Sequence, residues 1–198
     1  MRFYNPDIIV SGGLDGTAMC WDTTGQAKDA NDEQVMRGEP YQVFSMLDVR
    51  GDSIDFDDSN MLIGSWRPMN QLQIFDMRSG KLEKSVGWRK KPPPDAYPVA
   101  QKKNRWATVR DAVRGSCNVY AAQYIHGGTL LGGFVAGGSG TNEVKVFKKN
   151  DGGEHEPIAK MEIPSGVMNL HVVPNGKTLA VAATNGVVWG VAMPEKKA

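Results

Sequence analysis

The sequence predicts an all-β protein made of several small antiparallel sheets. A segment with the pattern apolar-x-apolar-aromatic occurs as AMCWD at 18–22, LQIFD at 72–76 and VKVFK at 144–148, and in weaker form as VVWGV at 187–191. Each of these segments follows a stretch of small residues, and 23 glycines and 11 prolines allow frequent turns. Short segments that alternate with a period near two between such turns are typical of stacked hairpins. A unit that recurs in this way indicates a repeat architecture.

The small residues before each aromatic segment belong to the repeat as well. They are SGG at 11–13, GS at 64–65, GGSG at 137–140 and AA at 182–183. The glycine-rich stretch 137–140 connects two predicted strands and opens no helix, so it lacks the helix N-terminus that binds phosphate in other glycine-rich loops. We interpret it as a hairpin loop.

The chain divides into four units of predicted strands. The first unit, 1–26, is partial and has strands at about 7–12 and 17–22, joined by a turn at Asp15-Gly16, where glycine accepts a positive φ. The later units have strands at 53–56, 61–65, 71–76 and 81–86 (unit 50–87), at 118–124, 134–138, 143–147 and 157–163 (unit 116–163), and at 167–173, 178–183 and 186–191 (the incomplete last unit, 166–193). The polar stretch 27–40 is predicted as a mobile loop between units.

The repeat resembles the WD40 family. The turn VPNG at 173–176 before TLAVAAT is similar to the stretch between the first two strands of a WD40 blade. SGGLDGTAMCWDTTG and GSW…QLQIFDMRSGKL are similar to the second and third strands with the following turn, although the WD dipeptide itself occurs only at Trp21-Asp22. Phe147 and Trp189 lie 42 residues apart, close to the family's repeat length of roughly 40–45. The resemblance implies WD40-like β-propeller blades, about three to three and a half of them, in a partial or open propeller.

A ring this short is not expected to close, because propellers typically have four to eight blades. The units fit the C-terminal half of a longer propeller, or a short protein built as an open fan against a larger assembly. Both alternatives leave blade faces and a sheet edge uncovered. The expected partner is therefore the missing propeller half, in a longer chain or a neighbouring subunit.

Nothing in the sequence predicts catalysis. His126, His155 and His171 lie in different units without Cys, Asp or Glu at metal-ligand spacing, and no GxSxG, HExxH or P-loop pattern occurs. We predict that the protein is not an enzyme and has no cofactor or metal site. The carboxylates Asp52, Asp55, Asp57 and Asp58 could form a cation site. However, Asp55 alternates with apolar neighbours and the last two fall in a turn, where Asp bonds the local backbone, so the structural interpretation is favoured.

A basic insertion at 88–115 is the main candidate for partner binding. It holds eight Lys or Arg against two Asp, a net charge of +6 in a chain whose net charge is +1. Aromatic residues lie within the basic run, and a PPP segment makes a rigid spacer. Long loops on a rigid scaffold often carry function, although a solvated insertion would also fit this composition. The candidate contacts here are Trp88, Arg89, Lys90, Lys91, Lys102, Lys103, Arg105 and Trp106.

A smaller candidate contact is Trp66-Arg67, in the hairpin loop of the second unit, because aromatic and Arg side chains are typical interface anchors. Together these features predict a non-catalytic scaffold subunit of a large protein assembly. Within the WD40 family, the segments GSWRPMNQLQIFDMRSGKL and FVAGGSGTNEVKVF resemble WD-repeat proteins of protist cilia and flagella. That resemblance implies tubulin or axonemal partners. The alternative is a subunit of a ribosomal or RNA-processing complex that contacts phosphates through the same basic insertion.

The N-terminus lacks the apolar core of a secretory signal, and no stretch reaches the roughly 18 apolar residues that span a bilayer. The two cysteines, Cys20 and Cys117, give no disulfide framework. Cys20 lies on an apolar predicted strand and is expected to be a small buried residue. We therefore expect a cytoplasmic protein, with the cilium or flagellum as the location that the resemblance implies.

Overall fold

The computed structural model describes residues 1–24, 27–28, 34–35, 39–67, 69–88 and 117–194. They form four small antiparallel sheets, which we call blades 1 to 4, and each blade is a meander whose strands follow chain order. Blade 1 consists of β1 (Arg2–Asn5), β2 (Ile8–Gly12), β3 (Thr17–Asp22) and β6 (Gln42–Ser45). A separate hairpin of β4 (Ala27–Lys28) and β5 (Gln34–Val35) lies between its third and fourth strands in the chain.

In the other three blades, too, neighbouring strands of the sheet follow one another in the chain. Blade 2 consists of β7 (Ile54–Asp57), β8 (Asn60–Gly64), β9 (Leu72–Asp76) and β10 (Lys81–Val86). Blade 3 consists of β11 (Asn118–Tyr124), β12 (Phe134–Ser139), β13 (Glu143–Lys149) and β14 (His155–Glu162), with a 3-10 turn at Gly128–Leu130 after β11. Blade 4 consists of β15 (Val167–Val172), β16 (Thr178–Ala183) and β17 (Val188–Ala192).

The all-β prediction is confirmed. In blade 1 the sequence analysis missed two of the four strands. Its two predicted strands are present, but β1 and β6 complete a four-stranded sheet, so 1–26 is not a partial blade. Both missed strands are only four residues long, too short to show a clear alternation. Because β6 pairs with β3, the described residues 27–28 and 34–35 come between two strands of one blade in the chain, and they pair with each other as β4 and β5.

The blades stack side by side in chain order. The first strands of neighbouring blades contact each other, β1 with β7, β7 with β11 and β11 with β15, so these strands share one inner side of the stack. Each of the three junctions between blades is filled by one buried apolar cluster. Every sheet therefore buries a face by packing on its neighbour, as in repeat proteins generally.

One cross-strand pair marks the same position in every blade, between the second and third strands. The pairs are Ile9–Trp21, Met61–Phe75, Phe134–Phe147 and Leu179–Val191. Three of the four aromatics of the sequence repeat thus occupy equivalent places. Trp189 does not, because it pairs with Val181, two residues earlier along β17. A shift of two residues keeps the same face of the sheet, which is why the pattern looked similar.

The small residues of the repeat allow the blades to approach closely. A Cβ built on Gly12, Gly64 or Gly137 would come within 2.7, 2.4 and 2.9 Å of a valine of the next blade or its connecting segment. Those valines are Val49, Val119 and Val167. Gly137 lies inside β12, so the stretch 137–140 is only partly the hairpin loop that the sequence suggested.

Candidate interaction surface

The loop between β8 and β9 holds an aromatic side chain between two partners. The Trp66 ring lies under the Arg50 guanidinium, whose central carbon is 3.9 Å from the ring centroid. The Tyr120 ring meets Trp66 edge-on, with centroids 4.6 Å apart and planes at 86°. Cation–π and edge-to-face contacts each stabilise such an arrangement by about 1 kcal/mol. We call Asp48, Arg50, Trp66, Arg67 and Tyr120 the Trp66 cluster.

Hydrogen bonds between the two loops fix the backbone of this cluster. The Trp66 N–H donates to the Asp48 carbonyl at 3.0 Å. The Ser65 hydroxyl oxygen accepts from the Asp48 N–H at 3.1 Å and from the Arg67 N–H at 3.4 Å. The Asp48 carboxylate binds the Arg50 guanidinium at 2.9 and 3.3 Å. Two loops, one before β7 and one after β8, are thereby joined into one surface.

The edges of the cluster are apolar and exposed. Met46 and Met69, in the same two loops, are 70 % and 61 % exposed. The Arg67 guanidinium donates to the Met46 carbonyl oxygen. The Trp66 indole N–H is buried and has no hydrogen-bond partner among the described residues. An aromatic ring, flexible methionines and an arginine side by side make a surface suited to a protein partner.

Trp88 lies elsewhere than the sequence analysis placed it. It was predicted in a projecting loop, but its side chain is only 2 % exposed and packs in the junction between blades 2 and 3. Its indole N–H donates to a Glu143 carboxylate oxygen at 3.2 Å, and the Lys145 ammonium donates to its carbonyl oxygen at 2.8 Å. Glu143 and Lys145 pair at 3.3 Å. The ring of Trp88 is therefore a core element and offers no surface to a partner.

The two described residues that flank the basic insertion, Trp88 and Cys117, lie at this junction. Cys117, where the described chain resumes, is fully buried in the same apolar cluster as Trp88. Two residues later the Val119 N–H approaches the Ser65 carbonyl at 3.4 Å, which joins this flank to the loop of the Trp66 cluster. The two flanks of the insertion therefore meet at the junction of blades 2 and 3, and the second flank reaches the Trp66 cluster.

The remaining predicted contacts are outside the described residues. They are Arg89, Lys90, Lys91, Lys102, Lys103, Arg105 and Trp106. Of the ten predicted partner-binding residues, the structure thus brings together Trp66 and Arg67 and separates Trp88 from them.

The acidic residues near β7 tie blades together. Asp55 is 3 % exposed, accepts a hydrogen bond from the Tyr124 N–H of blade 3 at 2.7 Å, and pairs with Arg2 of blade 1 at 2.9 Å. Burial raises the pKa of the Asp55 carboxyl, while Arg2 opposes that rise. Asp58 stands at a positive φ of 49° in the turn after β7. These contacts agree with the structural interpretation of the carboxylates.

The three histidines are the other candidate chemical groups. In the described part of the chain, no group of three His, Cys, Asp or Glu side chains could hold a metal ion. His126 lies 3.8 Å from Asp55, His155 approaches the Gly132 carbonyl at 3.1 Å, and His171 is exposed. Among the described residues, no helix is long and apolar enough to cross a membrane.

Five members of this surface, Met46, Asp48, Arg50, Met69 and Tyr120, were not singled out from the sequence. Arg50 and Met46 lie in a connecting segment without any motif, and only the fold brings them next to Trp66. Tyr120 offered one signal, since the alternation of the predicted strand 118–124 places it opposite the buried Val119.

Comparison with known proteins agrees with this architecture. No family model and no curated protein sequence matches the chain. Among solved structures, the chain is similar to one in the crystal structure of a mitotic checkpoint complex, with a TM-score of 0.61 and 11 % identity over 94 % of this chain and 46 % of that one. It is also similar to the WD40 β-propeller domain of Doa1, with a TM-score of 0.57 and 14 % identity over 98 % of this chain and 49 % of that one.

The fold is therefore that of WD40 β-propeller blades, as the resemblance in the sequence implied. The chain spans about half the length of the structures that it matches. At this level of identity the likeness concerns the fold alone.

Proposed function

We propose that this chain is a non-catalytic scaffold subunit that docks an acidic protein surface inside a larger assembly. The observation that carries this proposal is the Trp66 cluster, a ring held by Arg50 and Tyr120 next to exposed methionines. Trp, Tyr, Arg and Met are the residue types enriched in interface cores. One of the similar structures is a checkpoint complex, so the same fold serves there within an assembly.

Charge supports an acidic partner. The basic insertion has a net charge of +6, and the described segment that follows it contacts the loop of the Trp66 cluster through Val119 and Ser65. Positive charge around an apolar contact raises the association rate with an acidic surface and orients the encounter. In this proposal Trp66 and Arg67 form the central contact with the partner. Trp88 anchors the insertion in the core. The insertion supplies positive charge and a second aromatic through Arg89, Lys90, Lys91, Lys102, Lys103, Arg105 and Trp106.

The partner class that we propose is cytoskeletal, with acidic tubulin tails or other axonemal proteins as the candidates. The sequence resemblance to WD-repeat proteins of cilia and flagella supports this choice, and it implies a cytoplasmic or ciliary location. Exposed methionines and an aromatic ring favour a protein surface over nucleic acid, because phosphate contacts rely on cationic and polar groups.

The proposal is tested with two variants of the full chain. One replaces Lys90, Lys91, Lys102 and Lys103 by Gln, and the other is W66A/R67A. We expect each to weaken binding to microtubules about 10-fold or more in co-sedimentation, since interface anchors contribute about 2 kcal/mol. A matched control replaces four lysines outside the insertion, Lys81, Lys148, Lys149 and Lys177, and should bind as the native chain does.

RNA binding is measured in parallel at several salt concentrations. If the insertion serves phosphates instead, the lysine variant will lose RNA affinity and the native chain will show a steep linear dependence of log affinity on log salt. Unchanged binding of both variants to microtubules would contradict the cytoskeletal proposal. Loss of RNA binding alone would establish the alternative.

A further inference from the structure

The two ends of the stack present opposite faces of a blade. Each blade has a rear face toward the preceding blade and a front face toward the following one. At the three internal junctions the rear face carries the register pair Met61–Phe75, Phe134–Phe147 or Leu179–Val191, and the front face carries the glycine that permits close approach, Gly12, Gly64 or Gly137. Every internal junction thus joins a rear face and a front face with the same register features.

The rear face of blade 1 carries the same register pair, and none of the described residues covers it. The pair Ile9–Trp21 occupies the same register as Met61–Phe75, yet Met61 is fully buried while Ile9 and Trp21 remain partly exposed. On the flanking strands Phe3 pairs with Ile9 and is 62 % exposed, and Val43 is 48 % exposed. The face ends in Trp21, whose indole N–H donates to Ser11 at 2.8 Å.

The front face of blade 4 carries small residues on β16 and β17, namely Ala180, Ala182, Val188, Gly190 and Ala192, and the polar Asn169 and His171 on β15. By register, Ala182 stands where Gly12, Gly64 and Gly137 allow the close approach of the next blade. A Cβ on Gly190 would meet nothing within 4 Å, and Val188 is 69 % exposed. This face has the register of an internal junction, and the described residues leave its outer strands uncovered.

Going beyond the docking function, we infer that two copies of this chain join head to tail, with the rear face of blade 1 in each copy packed on the front face of blade 4 in the other. Among the described strand residues, the rear face of blade 1 carries no Lys, Arg, Asp or Glu by register, and Asp52 and His171 border Ala180, Ala182 and Val188 on the front face of blade 4. Two such junctions close a ring of eight blades with two-fold symmetry. Eight is within the range of propellers, and each copy matches about half of a solved propeller.

The oligomeric state of the full chain tests this inference. Light scattering after size exclusion should give twice the mass of one chain for the native protein. V43D blocks the rear face and V188D blocks the front face, and each variant alone should be monomeric, because every junction needs one face of each kind. L131D, at a 66 % exposed turn position away from both faces, is the control and should remain dimeric.

Mixing the two blocked variants distinguishes the arrangement. V43D keeps its front face and V188D keeps its rear face, so the mixture should regain one junction and form a mixed dimer. If V188D alone remains dimeric, the copies associate rear to rear and the inference is wrong. A monomeric native chain would also overturn it and would assign the end faces to blades of another polypeptide. Thermal unfolding of each variant confirms that a lost dimer does not reflect a lost fold.

Discussion

At the scale of single residues, the aspartate after the repeat aromatic holds a turn. Asp22 and Asp76 follow Trp21 and Phe75 at equivalent positions, and each carboxylate accepts hydrogen bonds from residues two or three positions later in the chain. Asp22 binds the N–H and hydroxyl of Thr24 at 2.8 and 2.6 Å, and Asp76 binds the N–H of Arg78 at 2.9 Å. Asp is favoured in such turns for this reason.

These turns should make the fold sensitive to acid. The hydrogen bonds hold the pKa values of Asp22 and Asp76 below the ordinary 3.8. Their contribution to stability is therefore present above about pH 4 and is lost as the pH falls through the lowered folded values. We expect D22N/D76N to show a smaller loss of unfolding free energy between pH 4 and 2 than the native chain, measured by urea unfolding. D151N, at another exposed turn, is the control, and an equal acid loss in all three would contradict the prediction.

The thiols should be unreactive in the folded protein. Cys20 and Cys117 are both fully buried, which confirms the expectation for Cys20, and burial raises the pKa of Cys117 to about 12. Since the thiolate is the reactive form, we expect no labelling by a thiol reagent at pH 8 until urea unfolds the chain. Labelling of one thiol in the native state would show that its blade junction opens locally.

At the scale of elements, the glycines of the second strands determine how closely blades pack. We expect G64A to destabilise the protein by about 1–3 kcal/mol, because its Cβ would lie 2.4 Å from Val119 Cγ1 in a closely packed junction. The measurement is the free energy of urea unfolding.

A double-mutant cycle and a matched control sharpen this test. V119A removes the opposing methyl groups, so G64A should cost less in the V119A background than in the native one. G190A adds the same methyl group on the front face of blade 4, where nothing in the chain's described part lies within 4 Å, and in the monomeric V43D background it should change the stability by less than about 0.5 kcal/mol. Equal costs for G64A and G190A would show that blade spacing is not limited at Gly64.

The third junction is less well filled than the first two. Phe44 packs on Phe75 and Trp88 on Phe147, with ring centroids 5.0 and 6.2 Å apart. At the equivalent place in blade 4 stands Val191, and a cavity of about 220 Å³ remains between β14 and β17. We expect V191F to fill part of it and to raise the unfolding free energy by about 1 kcal/mol, seen as a higher denaturation midpoint. A lower midpoint would mean that the ring overpacks the site.

Elements differ in how readily the sequence predicts them. The second and third strands of each blade carry the alternation and the small residues, and those of blades 1 and 2 also carry the turn aspartates, so their positions follow from the residues. Strands β1 and β6 lacked such a pattern and exist because the open edges of β2 and β3 bind them. Trp88 was misplaced for a related reason. A basic run that contains aromatic residues is expected to be exposed, and only the fold brings Glu143 and Lys145 next to Trp88, where they hold its ring in the core.

At the scale of the whole molecule, Asp55 joins blades 1, 2 and 3. We expect D55A to destabilise the protein by about 2 kcal/mol, because it leaves the buried Tyr124 N–H without its acceptor. Arg2 can still pair with Asp52, now 3.6 Å away, which limits the loss. D58A, in the neighbouring turn, provides the comparison in the same unfolding experiment. A cost for D55A no larger than for D58A would show that this contact does not join the blades.

The arrangement of whole blades could be predicted from the sequence, but the interaction surface only in part. Trp66 and Arg67 stood out as a residue pair in a hairpin loop. Arg50 and Tyr120 come to the same surface from about 15 residues before and about 55 residues after Trp66 in the chain, and only the stacking of blades 2 and 3 brings them together. A surface formed across a blade junction leaves no local pattern in the sequence.

The shared burial of Trp88 and Cys117 has a consequence for how this protein can change. Since one apolar cluster holds both Trp88 and Cys117, we expect the sheets to keep their geometry when the segment between these two residues changes in length or composition. We expect related proteins with the same blades to differ in this basic segment and therefore in the partner that they bind.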